Sequence, residues 1–244
     1  MTYCVAMNLS EGLVFVSDSR TNAGVDHIAT FRKLYIFGVP GERLIVLQAA
    51  GNLATSQSVI SLLRQRLKKD GPHLYSVDSL FEAAQLVGRT MREVVSRDAE
   101  PTMSAGVDMT CSFLLGGQIG DEPPALFNLY PQGNFIAATP DTPYFQIGES
   151  KYGKPILDRA LTYETPLDHA LRCALISFDS TIRSNLSVAL PLDVLVYRGG
   201  SLEVPKGYRV KEGDPYFEEI RDYWGGGLRR LLGELSSPPD GYWS

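Results

Sequence analysis

Cysteine and histidine are scarce, three of each in 244 residues. Cys4, Cys111 and Cys173 are odd in number, far apart and set among apolar neighbours, which argues against a disulfide framework and for buried thiols. His27, His73 and His169 are equally scattered, so no metal-ligand spacing is visible, and no metal or other cofactor is expected. No window approaches the about 18 uncharged apolar residues of a membrane span. Asn8, Ser10 and Glu11 interrupt the place where a secretory signal would need an apolar run, so a cytoplasmic location with no membrane partner is expected. Basic residues are in deficit, and the net charge of -5 argues against nucleic acid as a partner. Glycine and proline gather in no linker, so one large domain with a tail is expected.

What is present is a block order. Tyr3 to Met7 and Leu13 to Ser17 are β-rich runs around a loop ending in Gly12, a hairpin signal. Arg20 to Thr30 reads as a loop, and Leu34 to Phe37 and Leu44 to Ala49 form a second strand pair. Helical spacing begins after Gly51, with Leu53, Ser56, Ile60, Leu63 and Leu67 on one face and Asn52 as cap. A second helix, capped by Asp78, is expected to bury Leu80, Phe81, Ala84, Val87, Met91, Val94 and Val95. Strand signals return at Thr110 to Ile119, Leu126 to Tyr130, Phe135 to Ala138 and Tyr144 to Ile147, read as a meander of the second sheet. Two more helices follow, one around Ile156 to Leu161 and one entered at Thr165-Pro166 with proline at its first helical position. Ser187 to Val188 and Asp193 to Tyr197 are strand-like, and Ser201 to Val204 is expected to close the last hairpin.

Strands, two helices, strands, two helices, strands: this order predicts an α+β fold, a four-layer αββα sandwich of two antiparallel sheets between helical layers. That domain is assigned to residues 1–204. Residues 205–244 are read as a C-terminal extension used in assembly, with a helix from Pro215 to Leu235 weakened by Gly225-Gly226-Gly227. Tyr223-Trp224 and Tyr242-Trp243 are candidate anchors for a neighbouring subunit.

The residues that could do chemistry lie mostly in the first fifty-one. Thr2 is small enough for an aminopeptidase to remove Met1, which would leave a threonine whose α-amine stands beside its own hydroxyl, a nucleophile with a built-in base. A free α-amine titrates near ~7.7 to 8, and a nearby Lys33 held by Asp18 would lower it and leave more neutral base. Attack on a carbonyl needs an oxyanion donor, and the Gly51 N-H before the first helix suits that role. Taken singly, each residue also has a structural reading. Asp18 can be a strand-end turn residue, Lys33 a solvated charge and Gly51 a helix-entry glycine, and spacing alone does not decide.

Thr2, then Ser17-Asp18-Ser19-Arg20-Thr21-Asn22-Ala23-Gly24, then Lys33, then Ala50-Gly51 closely resembles the proteasome β-subunit pattern. The strand and helix order agrees over about residues 2–204. The resemblance implies an N-terminal nucleophile hydrolase that cleaves peptides, with Thr2 as nucleophile and base, Asp18 and Lys33 tuning the amine, and Gly51 as oxyanion donor. It further implies Asp179 and Ser184 as supporting residues near the nucleophile. Ala49 and Leu53 would flank a first specificity pocket, although a plain core role suits them as well, and Thr21 would pair with an extended peptide. Three departures stand out. Lys33 is one residue closer to Asp18, the Asp179-to-Ser184 spacing is longer, and Glu149 follows Gly148 where the family tends to have serine, a possible modulator of the amine. With the C-terminal extension, these look like the bacterial proteasome-related branch called Anbu, which implies self-association into a homo-oligomer, a ring or open spiral. The resemblance names neither a substrate nor an unfolding ATPase. An assembly scaffold with a vestigial site and an amidase for a small amide are the rival readings.

Overall fold

The N-terminal hairpin sets the frame. The computed structural model describes residues 2–22, 28–98 and 108–243; Met1, Ala23, Gly24, Asp26 and His27, which entered the sequence argument, lie outside the described residues. Strands β1 (Tyr3–Leu9) and β2 (Gly12–Asp18) pair antiparallel, with Cys4 opposite Ser17. Nearly every residue of both is buried, because the two faces of this sheet are both covered. Tyr3, Val5, Met7 and Leu9 pack toward helices, while Cys4, Ala6, Leu13 and Phe15 pack toward the second sheet. Apolar runs without polar alternation follow from that double covering.

Where a loop was expected between Arg20 and Thr30, β3 (Arg20–Asn22) and β4 (Ile28–Thr30) form a separate two-stranded ribbon. Next come β5 (Leu34–Val39) and β6 (Arg43–Gly51), then α1 (Leu53–Arg66) and α2 (Leu80–Asp98). Asn52 caps α1 through Oδ1, which accepts from Thr55 N at 3.1 Å. The cap of α2 is Ser79 rather than Asp78: Ser79 Oγ accepts from Glu82 N, while Glu82 Oε2 reaches back one residue further to accept from Asp78 N. Phe81 is exposed rather than buried, and its ring meets Phe135 edge-on at 5.3 Å.

Strands β7 (Cys111–Ile119), β8 (Ala125–Leu129) and β9 (Phe135–Ala137) extend the second sheet in the order β5-β6-β7-β8-β9. The expected meander ends there. Strand β10 (Tyr144–Gly148) crosses to the first sheet and pairs with β1. Helices α3 (Lys154–Ala160) and α4 (Leu167–Ser184) follow, with Pro166 at the N-cap of α4 rather than inside it. Strand β11 (Leu192–Arg198) lies beside β2, and its hairpin partner is β12 (Tyr208–Val210), not Ser201 to Val204. Ser187 and Val188 lie in no strand. The first sheet therefore runs β10-β1-β2-β11-β12.

Helix α5 (Pro215–Glu234) starts at Asp214, whose Oδ1 accepts from Phe217 N. It passes through Gly225-Gly226-Gly227 without a break. Phe217 and Ile220 join the core under α4, whereas Tyr223, Leu231, Leu232 and Leu235 are exposed. Three apolar layers result: α1 and α2 on the second sheet, the two sheets on each other, and α3 to α5 on the first sheet. This is the αββα sandwich. No helix among the described residues is long and apolar enough to cross a membrane.

Candidate active site

Strand β1 is an interior strand of its sheet, and the residue before it, Thr2, is half-buried. The Thr2 carbonyl accepts from Glu149 N at 2.6 Å across to the end of β10. Gly148 has φ +82°, and a Cβ there would sit 1.9 Å from Thr2 O, so only glycine lets the two strand ends come this close. Tyr3 anchors the next position. Its N-H donates to Asp18 Oδ1 at 2.9 Å, and its hydroxyl meets Ser177 Oγ at 2.6 Å and accepts from Gln146 Nε2. Burial drives the Tyr3 hydroxyl well above its usual range, so it stays neutral and acts as an anchor.

Asp18 ends β2 and is fully buried. Lys33 Nζ donates to Asp18 Oδ1 and Oδ2, both at 2.9 Å, and to the Arg20 carbonyl at 2.7 Å. The Lys33 carbonyl accepts from Ala49 N, which fixes its backbone to β6. The shorter Asp18-to-Lys33 spacing thus still brings the pair together, because the β3–β4 ribbon folds back and Phe31 N donates to Ser19 O. Burial pushes the Asp18 carboxyl up to about 6, with the Lys33 charge and the Tyr3 N-H pulling the other way. Asp18 Oδ1 is shared by Tyr3 and Lys33, which puts the ammonium one residue from Thr2.

Gly51 is the last residue of β6, with φ +99°; a Cβ there would lie 2.6 Å from Thr110 O. Asn52 N donates to that same carbonyl, and α1 starts immediately after, so the glycine makes the turn that presents the helix N-terminus. Ala49 is 4% exposed and packs in the layer under α1 and α2. Leu53 is half-buried in the first turn of α1, and Thr21 is half-buried in β3.

Among the described residues, no hydrogen bond or ion pair links Asp179 or Ser184 to Thr2, Asp18 or Lys33. Both carboxylate oxygens of Asp179 accept from arginines, Oδ1 from Arg221 Nε at 2.8 Å, which ties α4 to α5, and Oδ2 from Arg183 Nε at 3.0 Å within α4. Ser184 is exposed at the end of α4. The residue of this segment that reaches the Thr2 end is its neighbour Asn185, whose Nδ2 donates to Glu149 Oε2 at 3.0 Å. Glu149 is 8% exposed, and its other oxygen accepts from Lys151 N. Among the described residues it has no ion-pair partner, and its carboxyl stands one backbone hydrogen bond from Thr2. Sequence reasoning missed Asn185, which looks like any residue after a helix.

Cys4, Cys111 and Cys173 are free and buried, and burial lifts Cys111 to about 12 and Cys173 to about 11. No group of three or more metal-ligating side chains occurs among the described residues. What the site offers is a hydroxyl at a strand end, a buried lysine–aspartate pair behind it, and a carboxylate on its other side.

No protein-family model and no curated protein matches the chain. Solved structures match nearly all of it. The helical assembly of the Anbu complex from Pseudomonas aeruginosa is 64% identical, covering 98% of this chain and 99% of that one with a TM-score of 0.96. Anbu (ancestral beta-subunit) from Yersinia bercovieri is 60% identical over 97% and 98%, TM-score 0.92. A Gly-1 mutant of Anbu from Hyphomicrobium sp. strain MC1 is 44% identical over 98% and 100%, TM-score 0.90. At that identity and coverage, with the same two-sheet sandwich, the chain belongs to the Anbu (ancestral beta-subunit) family.

Proposed function

We propose that the chain is a threonine-type amidohydrolase that cleaves peptide bonds with Thr2, exposed by loss of Met1, and that it works as a homo-oligomer. The observation that carries this reading is the shared Asp18 Oδ1, which holds both the Tyr3 N-H and the Lys33 ammonium. Thr2 Oγ attacks the scissile carbonyl carbon while its proton passes to the Thr2 amine, and the Gly51 N-H donates to the oxyanion. The C-N bond breaks, the leaving amine takes the proton, and an ester to Thr2 remains. Water, deprotonated by the same amine, hydrolyses that ester. Lys33 spends its three N-H groups on Asp18 and Arg20, so it acts on the amine through charge, disfavouring the ammonium form.

Self-association is supported by the related Anbu complex from Pseudomonas aeruginosa, described as a helical assembly, and by the exposed Leu228, Leu231, Leu232 and Leu235 of this chain. A second reading, an assembly scaffold with a vestigial site, is favoured by Asp179, both of whose oxygens accept from arginines. One experiment separates the two. Intact-mass analysis establishes whether Met1 is gone, and an electrophile that reacts with both hydroxyl and amine of an N-terminal threonine is then mapped by peptide digestion. Labelling at Thr2 that disappears in Thr2→Ala, with assembly unchanged, supports the enzyme. Met1 retained throughout, or equal labelling of the variant, leaves the scaffold. Turnover of small acyl amides but not peptides would move the substrate class to small amides.

A further inference from the structure

The strand end that carries Thr2 is held at three points. The peptide group between Thr2 and Tyr3 is bonded at both poles: its carbonyl accepts from Glu149 N at 2.6 Å, toward β10, and its N-H donates to Asp18 Oδ1 at 2.9 Å, toward β2. Two such bonds run across the sheet and define an axis. They leave one freedom, rotation about that axis, which would swing the strand end out of the sheet plane. The Tyr3 side chain supplies the third point. It stands off the sheet in the helical layer, where its ring lies 4.4 Å from Phe178, and its hydroxyl meets Ser177 Oγ of α4 at 2.6 Å and accepts from Gln146 Nε2 of β10 at 2.5 Å.

Packing alone does not call for that hydroxyl. A phenylalanine would keep the ring contact with Phe178, yet the fully buried position carries a phenol. The chain closes tightly around it: a Cβ on Gly153, at the entry of α3, would come within 2.2 Å of Ser177 Oγ and 2.3 Å of Tyr3 Oη. Glycine there lets the backbone shut the phenol away from water, so its hydrogen bonds have no solvent substitute. Gln146 supplies a donor, which leaves the phenol's own proton for Ser177 Oγ. Both bonds are directional, and an apolar ring contact is not. Strand alternation turns Thr2 to the face of Cys4, toward the second sheet, where Gly51 ends β6. A tilt of Tyr3 in its socket therefore moves the Thr2 hydroxyl against Gly51 and Lys33, and a displacement of about 1 Å at a reacting group costs on the order of a hundred-fold in rate.

We propose that Tyr3 is a positioning residue for Thr2, its hydroxyl bonded to Ser177 and Gln146 so as to fix the tilt of the strand end on which the nucleophile stands. This role rests on Thr2 being the nucleophile, and two separate readouts distinguish its failure from the failure of that reading. The assembled protein is compared with Tyr3→Phe and with Tyr3→Phe/Gln146→Met/Ser177→Ala, in which the missing hydroxyl strands no polar atom. Labelling of Thr2 by an N-acetyl-dileucyl epoxyketone gives a saturating rate and a half-saturating concentration, and crystal structures of the parent and the triple variant read the place of Thr2 without any chemistry. Tyr3→Phe should lower the thermal midpoint, and the triple variant should regain most of it. In both variants the saturating rate is expected to fall at least about ten-fold, with the half-saturating concentration within about two-fold of the parent. Thr2 Oγ should shift by at least about 0.5 Å in the triple variant, the tolerance of a productive site. Recovery of the saturating rate together with the midpoint would make the hydroxyl merely structural and overturn the proposal, as would an undiminished rate in Tyr3→Phe or an unmoved Thr2. A parent never labelled at Thr2, with Thr2 displaced in the triple variant, would sink the nucleophile while upholding the positioning.

Discussion

Replacing Lys33 by methionine keeps most of the side-chain volume and removes the charge that faces Asp18. In the native protein the ammonium lies 2.9 Å from both carboxylate oxygens, and neither side chain is more than 5% exposed. The Asp18 carboxyl is raised from its ordinary 3.8 to about 6. The folded state therefore binds this proton more tightly than the unfolded state. Stability from this group is fully present below 3.8, declines as pH rises through the 3.8 to 6 window, and is level above it. Without Lys33 the folded value rises further, and the decline continues to higher pH. At pH 8 the carboxyl then stays protonated or sits charged and unpaired. Two further pH units at about 1.36 kcal/mol each give a loss of roughly 3 kcal/mol, which for a chain of this length lowers the thermal midpoint by about 6–12 °C. At pH 5 Asp18 is mostly protonated in both proteins, and the difference should fall within about 1 kcal/mol. Thermal denaturation at matched protein concentration, at pH 5 and pH 8, reads this directly. The Asp18→Asn/Lys33→Met double variant should recover most of the loss at pH 8, since no carboxylate is stranded. The same loss at both pH values, or no recovery in the double variant, would refute a buried charge pair.

Three further expectations follow from the same geometry. Gly148→Ala should displace Thr2, because its Cβ would lie 1.9 Å from the Thr2 carbonyl at a φ of +82°, and labelling of Thr2 should fall at least about ten-fold while far-ultraviolet circular dichroism stays native. Glu149→Gln keeps an acceptor for Lys151 N and removes the negative charge beside Thr2. A carboxylate there favours the charged amine, so its removal should move the pH profile of Thr2 labelling to lower pH, and an unmoved profile would show that the carboxylate does not reach the amine. Asp179→Ala should lower stability by about 2 kcal/mol, read by urea denaturation, because two charge-assisted hydrogen bonds are lost, one from Arg221 of α5 and one from Arg183 within α4. Its rate of Thr2 labelling should not change, in contrast to a supporting catalytic residue.

The sandwich was legible because block order and hydrophobic period are local signals. Leu53 to Leu67 announces α1, its Asn52 cap included, and Pro215 announces the start of α5. Partners that meet across the chain were not legible. Nothing in Tyr144 to Ile147 says that it leaves its neighbours for β1, since an apolar run pairs equally well in either sheet. Tyr208 to Val210 is too short to outcompete Ser201 to Val204 on propensity; the register with Leu192 to Val194 decides it. In the site, Asp18 and Lys33 could be named from their motif, and both sit where one carboxylate serves Tyr3 and the ammonium. Asp179 could not be placed, because Arg221 arrives from a helix 42 positions later and takes one of its oxygens. Asn185 is the converse, an unremarked polar residue whose role depends wholly on Glu149 being folded beside it.

The crossing of β10 has a consequence in time. Strand β1 gains β2 as soon as the first hairpin is made, but the N-H that closes over the Thr2 carbonyl belongs to Glu149. At a synthesis rate of roughly 5–20 residues per second, the chain between those two residues takes about 7–30 s to emerge. For that interval one edge of β1 is an open flank, and the strand end bearing Thr2 is within reach of any processing enzyme that requires an unpaired terminus. Once β10 is in place, the Thr2 carbonyl accepts from Glu149 N and that edge is closed, while Thr2 itself stays half-buried. The order in which the strands leave the ribosome therefore sets how long this edge of β1 stays unpaired.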